Sequence, residues 1–347
     1  MSEQARSYWH PVCAASELAG QPLGVTLLGE ALVVFRDEAG DPVCLDDRCA
    51  HRGAALSLGR VIGGAVTCAY HGWQYDSSGQ CVRIPQFRAD EPISSRARVT
   101  RYQAAERYGL IWVLLAAESD AGIPALPEWD DPAYEKVVCR PYQWQASPPR
   151  MMENFTDFGH FATVHAGILG NPLDSILAPY DVSAGDDVLR YTMTLPMPRR
   201  SQQQTLALAR AAMTGIDAGD LLDFGAVEMI DLEFRYELTL PYTVVVRRVS
   251  ADKLARITYF AVQPVSENAC RGYVVLCVPP SEAAGRPWDD YAAGLVEIQD
   301  VVQEQDRRVV ESQRPEQLPA DLSAELHFRF DRLAVRYRQG LARLGIT

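Results

Sequence analysis

Two short runs gather side chains that bind metals. Cys49-Ala50-His51 and Cys68-Ala69-Tyr70-His71 each offer one thiolate and one imidazole, and sixteen residues separate them. A zinc finger groups its two cysteines and then its two histidines. Here each loop mixes one of each, as a two-iron cluster gripped by two hairpin tips requires. When two His replace two Cys on one iron of such a cluster, its reduction potential rises above that of an all-cysteine cluster. The implied chemistry is one-electron transfer. Zinc, or a chance pairing of buried Cys and His, is the competing reading.

A second constellation lies at 153–165, Glu-Asn-Phe-Thr-Asp-Phe-Gly-His-Phe-Ala-Thr-Val-His. Asn154, Asp157 and His160 are each three apart, which on a helix stacks them along one face. His165 is five beyond His160 and lies well off that face at ~100° per residue. Two ligands at that spacing cannot meet one metal from an undistorted helix. The spacing therefore predicts a helix over roughly 149–166 with a π-bulge, or a helix end near 164–167, that swings His165 back. A mononuclear Fe(II) that activates O2 takes two His and one carboxylate on one facet, and this run supplies the two His. The chain holds only six histidines, and four of them sit in these two constellations, leaving His10 and His327.

The elements that must position these groups follow from pattern and punctuation. Short strands with frequent Gly and Asp/Ser turns are expected near 25–28, 31–36, 42–45, 65–68 and 110–115. This reads as an all-β domain over 1–118 that carries both Cys/His loops. Residues 119–136, rich in Pro, Asp and Ala, read as a linker to a second domain over 137–347. There, alternating apolar residues predict strands near 187–196, 227–239, 242–249, 255–265 and 272–278. The stretch 203–223 is mixed, with helix broken by Gly215 and Gly219, and two helices near 287–312 and 320–343 close the chain. The fold class is α+β, with the second domain an antiparallel sheet wrapped around a long helix.

Composition narrows the function. At 347 residues, 48% hydrophobic and 22% charged, the chain suits two globular domains. A net charge of −12 argues against nucleic acid as a partner. No apolar run reaches the ~18 residues a membrane span needs. The start, MSEQARSYWH, has no secretory pattern. The six cysteines outside the two loops show no pairing pattern and read as reduced buried thiols, so a cytoplasmic location is expected. No Gly-rich dinucleotide fingerprint occurs, so NAD(P)H is not bound in the Rossmann manner.

The runs CAHRGA and CAYHGWQYD resemble the ferredoxin-like cluster domain of Rieske oxygenases. With 8–13 (YWHPVC), 47–58 (DRCAHRGAALSL), 107–112 (RYGLIW), 153–165 and 309–315 (VVESQRP), the chain is similar to the oxygenase component of Rieske non-haem iron oxygenases over nearly its whole length. The likeness is strongest to the methylxanthine N-demethylases. High-potential Rieske proteins add a cysteine to each ligand loop and join the two as a disulfide. Ala54 and Tyr70 stand there in this chain.

The resemblance implies that Cys49, His51, Cys68 and His71 hold a [2Fe–2S] Rieske cluster. Trp73 shields it from water or is a core aromatic. It implies that His160, His165 and Asp306 hold a mononuclear Fe(II), with Asp300, Glu304 and Glu311 as nearby alternatives for the carboxylate. Asp157 is expected to bond His160 and a cluster His of a neighbouring subunit, and Asn154 joins it as a candidate catalytic residue. O2 is the co-substrate. A separate reductase or ferredoxin brings electrons from NAD(P)H, and Arg52, Arg60, Arg83 and Arg88 are candidate docking charges. Transfer across subunits implies a homotrimer or a multiple of it. The implied reaction is monohydroxylation or N-/O-demethylation of a small aromatic or heterocyclic compound. Ring dihydroxylation, N-oxygenation or simple electron transfer are the alternatives. Phe161, Leu221, Phe224, Met229, Phe234 and Phe260 are candidate pocket walls or core.

Overall fold

The computed structural model describes residues 2–185, 187–215, 218–250 and 253–346. It divides into two compact units: Met1–Ile123 with Gln263–Glu267, and Pro124–Val262 with Asn268–Thr347. The division falls inside the stretch read as linker. Among the described residues no helix is long and apolar enough to cross a membrane.

The first unit is built on an antiparallel sheet in the order His10–Ala14, Leu110–Leu114, Arg101–Arg107, Pro42–Asp46, Glu30–Arg36, Leu23–Leu27. Leu32, Val33, Val34 and Phe35 are buried in unbroken succession, so the middle of that strand is covered on both faces. A second antiparallel sheet supplies one cover: Arg60–Ile62, Ala65–Thr67, Gln74–Tyr75 and Cys81–Arg83. Val66 and Tyr75 from it pack with Val33, Phe35, Val43 and Leu45. Both Cys/His loops belong to this small sheet's surroundings, and Cys49 and Cys68 lie in the same core.

The second unit centres on a long antiparallel sheet: Glu135–Val138, Ala269–Val278, Lys253–Ser266, Thr243–Ser250, Met229–Thr239, Val188–Pro198, Ser183–Ala184, with Tyr142–Trp144 also on Ala269–Val278. Along Val188–Pro198 the alternate residues Leu189, Tyr191, Met193 and Leu195 are buried, and Phe234, Tyr236 and Leu238 are buried on the neighbouring strand. This is the expected period-two signature of a sheet with one face inward. Five helices accompany the described strands: α1 Pro148–Thr156, α2 Gln202–Met213, α3 Ala218–Leu221, α4 Trp288–Val310 and α5 Arg332–Leu344.

Three sequence expectations need correction. The helix expected over 149–166 stops at Thr156, and neither a π-bulge nor a helix end occurs at 164–167. Asp157 is extended (φ −83°, ψ 139°), and its Oδ1 accepts from the N–H of Gly159 at 2.9 Å. This side-chain turn competes with the next helical hydrogen bond and wins. The last helix begins at Arg332 rather than 320, because Asp321 and Asp331 engage local backbone N–H groups in short 3-10 turns at Leu322–Ala324 and Arg329–Asp331. Gly219, read as a helix breaker, lies inside the short α3.

Candidate metal centres

The two Cys/His loops are twins. In each, the Cys N–H donates to the carbonyl five residues on: Cys49 to Ala54 at 2.9 Å, Cys68 to Trp73 at 2.8 Å. In each, a Gly N–H four residues on returns to the Cys carbonyl: Gly53 to Cys49 at 2.9 Å, Gly72 to Cys68 at 3.0 Å. Both glycines have positive φ, +72° and +74°, a conformation that a residue with Cβ rarely adopts. The C-x-H and C-x-x-H spacings thus differ only in where the His stands on a common turn.

The thiols point inward and the imidazoles lie at the rim. Cys49 and Cys68 are 3% and 2% exposed. The His51 and His71 rings meet edge to face with centroids 4.6 Å apart, and Trp73 stacks flat on His51 at 4.6 Å. Trp73 also packs against the core, as its reading as a core aromatic expects. Burial and the adjoining Cys49 thiol push the Cys68 thiol up. The Tyr75 hydroxyl sits 3.1 Å from Cys49 Sγ and accepts the Ala50 N–H at 3.1 Å.

The donors of these loops form two pairs, thiols inside and imidazoles outside. A single zinc needs all four around one point. Among the described residues, the one group of three or more His, Cys, Asp or Glu whose ligand atoms lie within 4.8 Å of one another is elsewhere: His160, His165 and Asp306.

That second group is assembled from two places. A run of turns after α1 carries the histidines. Val164 N–H closes on the His160 carbonyl at 2.8 Å, and Ile168 and Leu169 N–H groups both reach the His165 carbonyl. A Cβ on Gly170 would lie 2.7 Å from the Ala162 backbone, so the turn closes too tightly for any side chain there. Asp306 comes from α4. Its buried positions include Tyr291, Leu295, Val302, Asp306 and Val310, one stripe at helical spacing. Asp306 stands on that stripe. The three alternative carboxylates are off it and engaged elsewhere: Asp300 with Arg140 and Tyr142, Glu304 with Arg307, Glu311 with Arg307 and the Gln145 N–H.

The donor chemistry fits a cation. His165 Nε2 and His160 Nε2 lie 3.0 and 3.4 Å from Asp306 Oδ1. His160 Nδ1 lies 2.9 Å from Asp157 Oδ2, and His165 Nδ1 lies 2.8 Å from Gln305 Oε1. A carboxylate and an amide oxygen are acceptors, so both Nδ1 atoms carry the protons and both Nε2 atoms present lone pairs. Asp306 Oδ1 has no hydrogen-bond partner although it is buried. Three bare acceptors converging in a dry place repel one another unless a cation lies among them. Two His and one carboxylate are the facial set suited to non-haem Fe(II). Burial pushes the Asp157 carboxyl up, but the hydrogen bonds from His160 and the backbone outweigh it and leave it below the usual carboxylate range.

Comparison with known proteins agrees with this geometry. Residues 8–103 match the Rieske [2Fe-2S] domain, and residues 144–345, more than half the chain, match the vanillate O-demethylase oxygenase C-terminal domain. The chain is 33% identical to methylxanthine N1-demethylase NdmA of Pseudomonas putida, over 99% of this chain and 90% of that protein. It is 31% identical to methylxanthine N3-demethylase NdmB of the same organism with the same coverage. The chain is a Rieske non-haem iron oxygenase. The structure of NdmA with caffeine superposes with a TM-score of 0.80 at 30% identity, covering 97% of this chain and 90% of that one. Dicamba monooxygenase bound to dicamba shares the fold, with a TM-score of 0.78 at 23% identity.

As a Rieske oxygenase, the chain uses a [2Fe–2S] cluster, a mononuclear iron and O2. An unbroken helix would put Asn154, Asp157 and His160 on one face. The structure keeps Asn154 on α1 and brings Asp157 to His160 through a turn instead. It also adds Gln305 and Tyr75, neither of which the sequence signalled. Phe161 lies against the His160 and His165 imidazoles, at 5.1 and 5.9 Å. Phe260 stacks on Phe155 in the core instead, at 4.0 Å. All eight cysteines are buried and free of disulfides.

Proposed function

We propose that this Rieske oxygenase removes a methyl group from, or monohydroxylates, a small aromatic or heterocyclic compound. Electrons come from NAD(P)H through a separate reductase. In this reading Cys49, His51, Cys68 and His71 hold the cluster, and His160, His165 and Asp306 hold Fe(II). Bound there, the two iron centres supply reductive activation of O2, with one oxygen atom entering the substrate and the other leaving as water.

The chain's own residues prepare that chemistry. Asp157 and Gln305 keep protons on the Nδ1 atoms of His160 and His165, so both Nε2 lone pairs aim at one point. Asp306 supplies a buried negative charge at the same point. Phe161 gives the site an apolar wall for a planar substrate. A methyl group on nitrogen or oxygen, once hydroxylated, leaves as formaldehyde. The full-length likeness to the N-demethylases favours that outcome over ring dihydroxylation. Asp157 is 40% exposed on its side chain while bonded to His160, which leaves it reachable by a cluster histidine of a neighbouring subunit. The expected assembly is a ring, most simply a homotrimer.

The observation that carries this reading is the convergence of three bare acceptors at His160, His165 and Asp306. Asp306→Asn tests it. The unaltered protein should hold about three irons per chain and the variant about two, with the cluster's visible spectrum unchanged. Methylxanthines and methoxybenzoates, tried with a surrogate reductase and NADH, should give formaldehyde only with the unaltered protein. Two irons per chain in both proteins would leave only an electron-transfer role.

A further inference from the structure

The charge of this acidic chain is unevenly distributed. Residues 48–101 hold eight arginines (48, 52, 60, 83, 88, 96, 98 and 101) against three acids (Asp76, Asp90, Glu91), a net +5 in a chain whose total is −12. None of the eight forms an ion pair among the described residues. In the second unit, by contrast, Arg150, Arg190, Arg210, Arg247, Arg256, Arg307 and Arg338 are all paired.

Two of the unpaired arginines share one face, and a third adjoins it. Cys81 N–H donates to the Ala97 carbonyl and Val99 N–H to the Gly79 carbonyl, both at 2.8 Å, and Gln80 stands opposite Arg98 in an antiparallel bridge. Opposite residues of an antiparallel pair project to the same side, as do residues two apart. Cys81, Ala97 and Val99 point into the core. Gln80, Val82, Arg96 and Arg98 therefore point out, and Arg96, Arg98 and the adjoining Arg101 are exposed. Val82 is 50% exposed in their midst. A concavity of about 580 Å³ opens beside them, lined by Ser78, Arg98, Val99, Thr100 and Arg101. None of the residues lining it is acidic, and Asp46, opposite Thr100, is the acid at its edge. The neighbouring Asp76 carboxylate is engaged by Ser78 and Gln80 within its own turn.

We infer that this face receives the electron donor, a protein carrying an acidic patch around its own one-electron centre. The inference rests on the oxygenase reading, which requires an external donor. An apolar centre within a rim of unpaired cations suits a brief, electrostatically steered encounter. The floor of the face continues into the cluster's own core. Val99, Ala97 and Cys81 pack with Tyr75, Cys49 and Cys68, and Tyr75 reaches Cys49 Sγ. No residue of either ligand loop belongs to the face, so a donor there leaves the rim histidines uncovered.

The test uses the cluster-loaded full chain and a plant-type [2Fe–2S] ferredoxin, kept reduced by its own reductase, as the probe. Cluster reduction is followed by stopped-flow absorbance at rising NaCl. The unaltered protein should be reduced at a rate that falls steeply with salt. Arg96→Glu/Arg98→Glu/Arg101→Glu should lose at least ~10-fold at low salt, with a flattened salt dependence. Its visible spectrum and its reduction by dithionite should be unchanged. The single variant Arg98→Gln, should the triple variant fail to load its cluster, should lose part of the rate in the same direction. Unchanged rate and salt dependence in the variants would overturn the proposal. So would an unaltered protein that dithionite reduces and ferredoxin does not. Reduction is read without substrate, so a chain that accepts electrons normally but forms no product would refute the oxygenase reading alone.

Discussion

In the proposed iron site, Gln305 sets which nitrogen of His165 faces His160 and Asp306, and removing it measures how much that choice matters. His165 is 1% exposed, so no water can replace the acceptor that Gln305 Oε1 supplies at 2.8 Å. Gln305→Leu keeps similar bulk and leaves the Nδ1–H orphaned. A buried donor without a partner costs about 1–3 kcal/mol. The ring can escape that cost by moving its proton to Nε2, where Asp306 Oδ1 waits 3.0 Å away. That hydrogen bond occupies two of the three metal donors. Either way the metal-ready state is penalised. At about 1.4 kcal/mol per tenfold, affinity should fall by roughly 5- to 150-fold, which brackets the 10–100-fold typical of groups that orient a metal-bound His. The assay is competitive titration of the mononuclear site with Fe(II) or Co(II) against a chelator. The cluster spectrum serves as the folding control. Gln305→Glu retains an acceptor and should bind close to normally. If Gln305→Leu holds iron as tightly as the unaltered protein, packing alone orients His165 and the tautomer argument is wrong.

Three further outcomes follow from the same coordinates. Tyr75→Phe removes the hydroxyl from Cys49 Sγ, and since hydrogen bonds to cluster sulfurs raise the potential, redox titration should show a drop of roughly 40 mV, about 1 kcal/mol for one electron; no drop would remove that bond from the account. His10 is fully buried with Nε2 2.8 Å from the Ala5 carbonyl, and burial drives its pKa down to about 4. The unfolded chain takes up this proton below about pH 6.5 and the folded chain refuses it until about pH 4, so stability is lost as pH falls through that window, by ~3 kcal/mol in all. His10→Gln should flatten the dependence of the thermal midpoint on pH between those values, and an equally steep profile would clear His10 of the effect. Arg338 is buried against Glu153 at 2.7 and 2.8 Å and Glu325 at 2.6 Å; Arg150 still holds Glu325 at 2.6 Å in Arg338→Met, so the change strands Glu153 and should cost about 3 kcal/mol by denaturant unfolding. Addition of Glu153→Gln should recover part of the loss, and full additivity of the two changes would argue against coupling.

The two Cys/His loops were legible as matched turns because each holds its Cys and His within four residues, and a local turn suffices to bring them together. The sheet of the second unit was legible because one inward face imposes a period of two, as at Leu232, Phe234, Tyr236 and Leu238. Asp306 could be reached by resemblance, and the helical stripe through Leu295, Val302 and Val310 supplies the physical reason it outranks Asp300, Glu304 and Glu311. The end of α1 was not legible. Three-residue spacing from Asn154 through His160 suits a helix, and only the preference of Asp157 for the Gly159 N–H breaks it. Gln305 was hidden for a different reason. Its partner lies 140 residues away, and it stands about 100° around the helix from Asp306, off the stripe that pattern reading follows.

The two histidines are held in opposite ways, and this shapes how the site assembles. His160 takes its acceptor from Asp157, three residues before it on the same turn, so its tautomer is set as soon as that turn forms. His165 takes its acceptor from α4, the helix that also brings Asp306. In the proposed iron site, one docking event would therefore deliver both the third ligand and the group that readies the second. A partly docked α4 would leave His160 ready, His165 free to turn and no carboxylate present, which is a poor site for any divalent ion. In the proposed site, metal affinity would therefore be coupled to the packing of Val301, Val302 and Val310 along the buried side of α4. The same coupling explains why a charged residue can sit in an otherwise apolar stripe. Asp306 is costly to bury alone, and the arrangement is favourable only when a cation neutralises it.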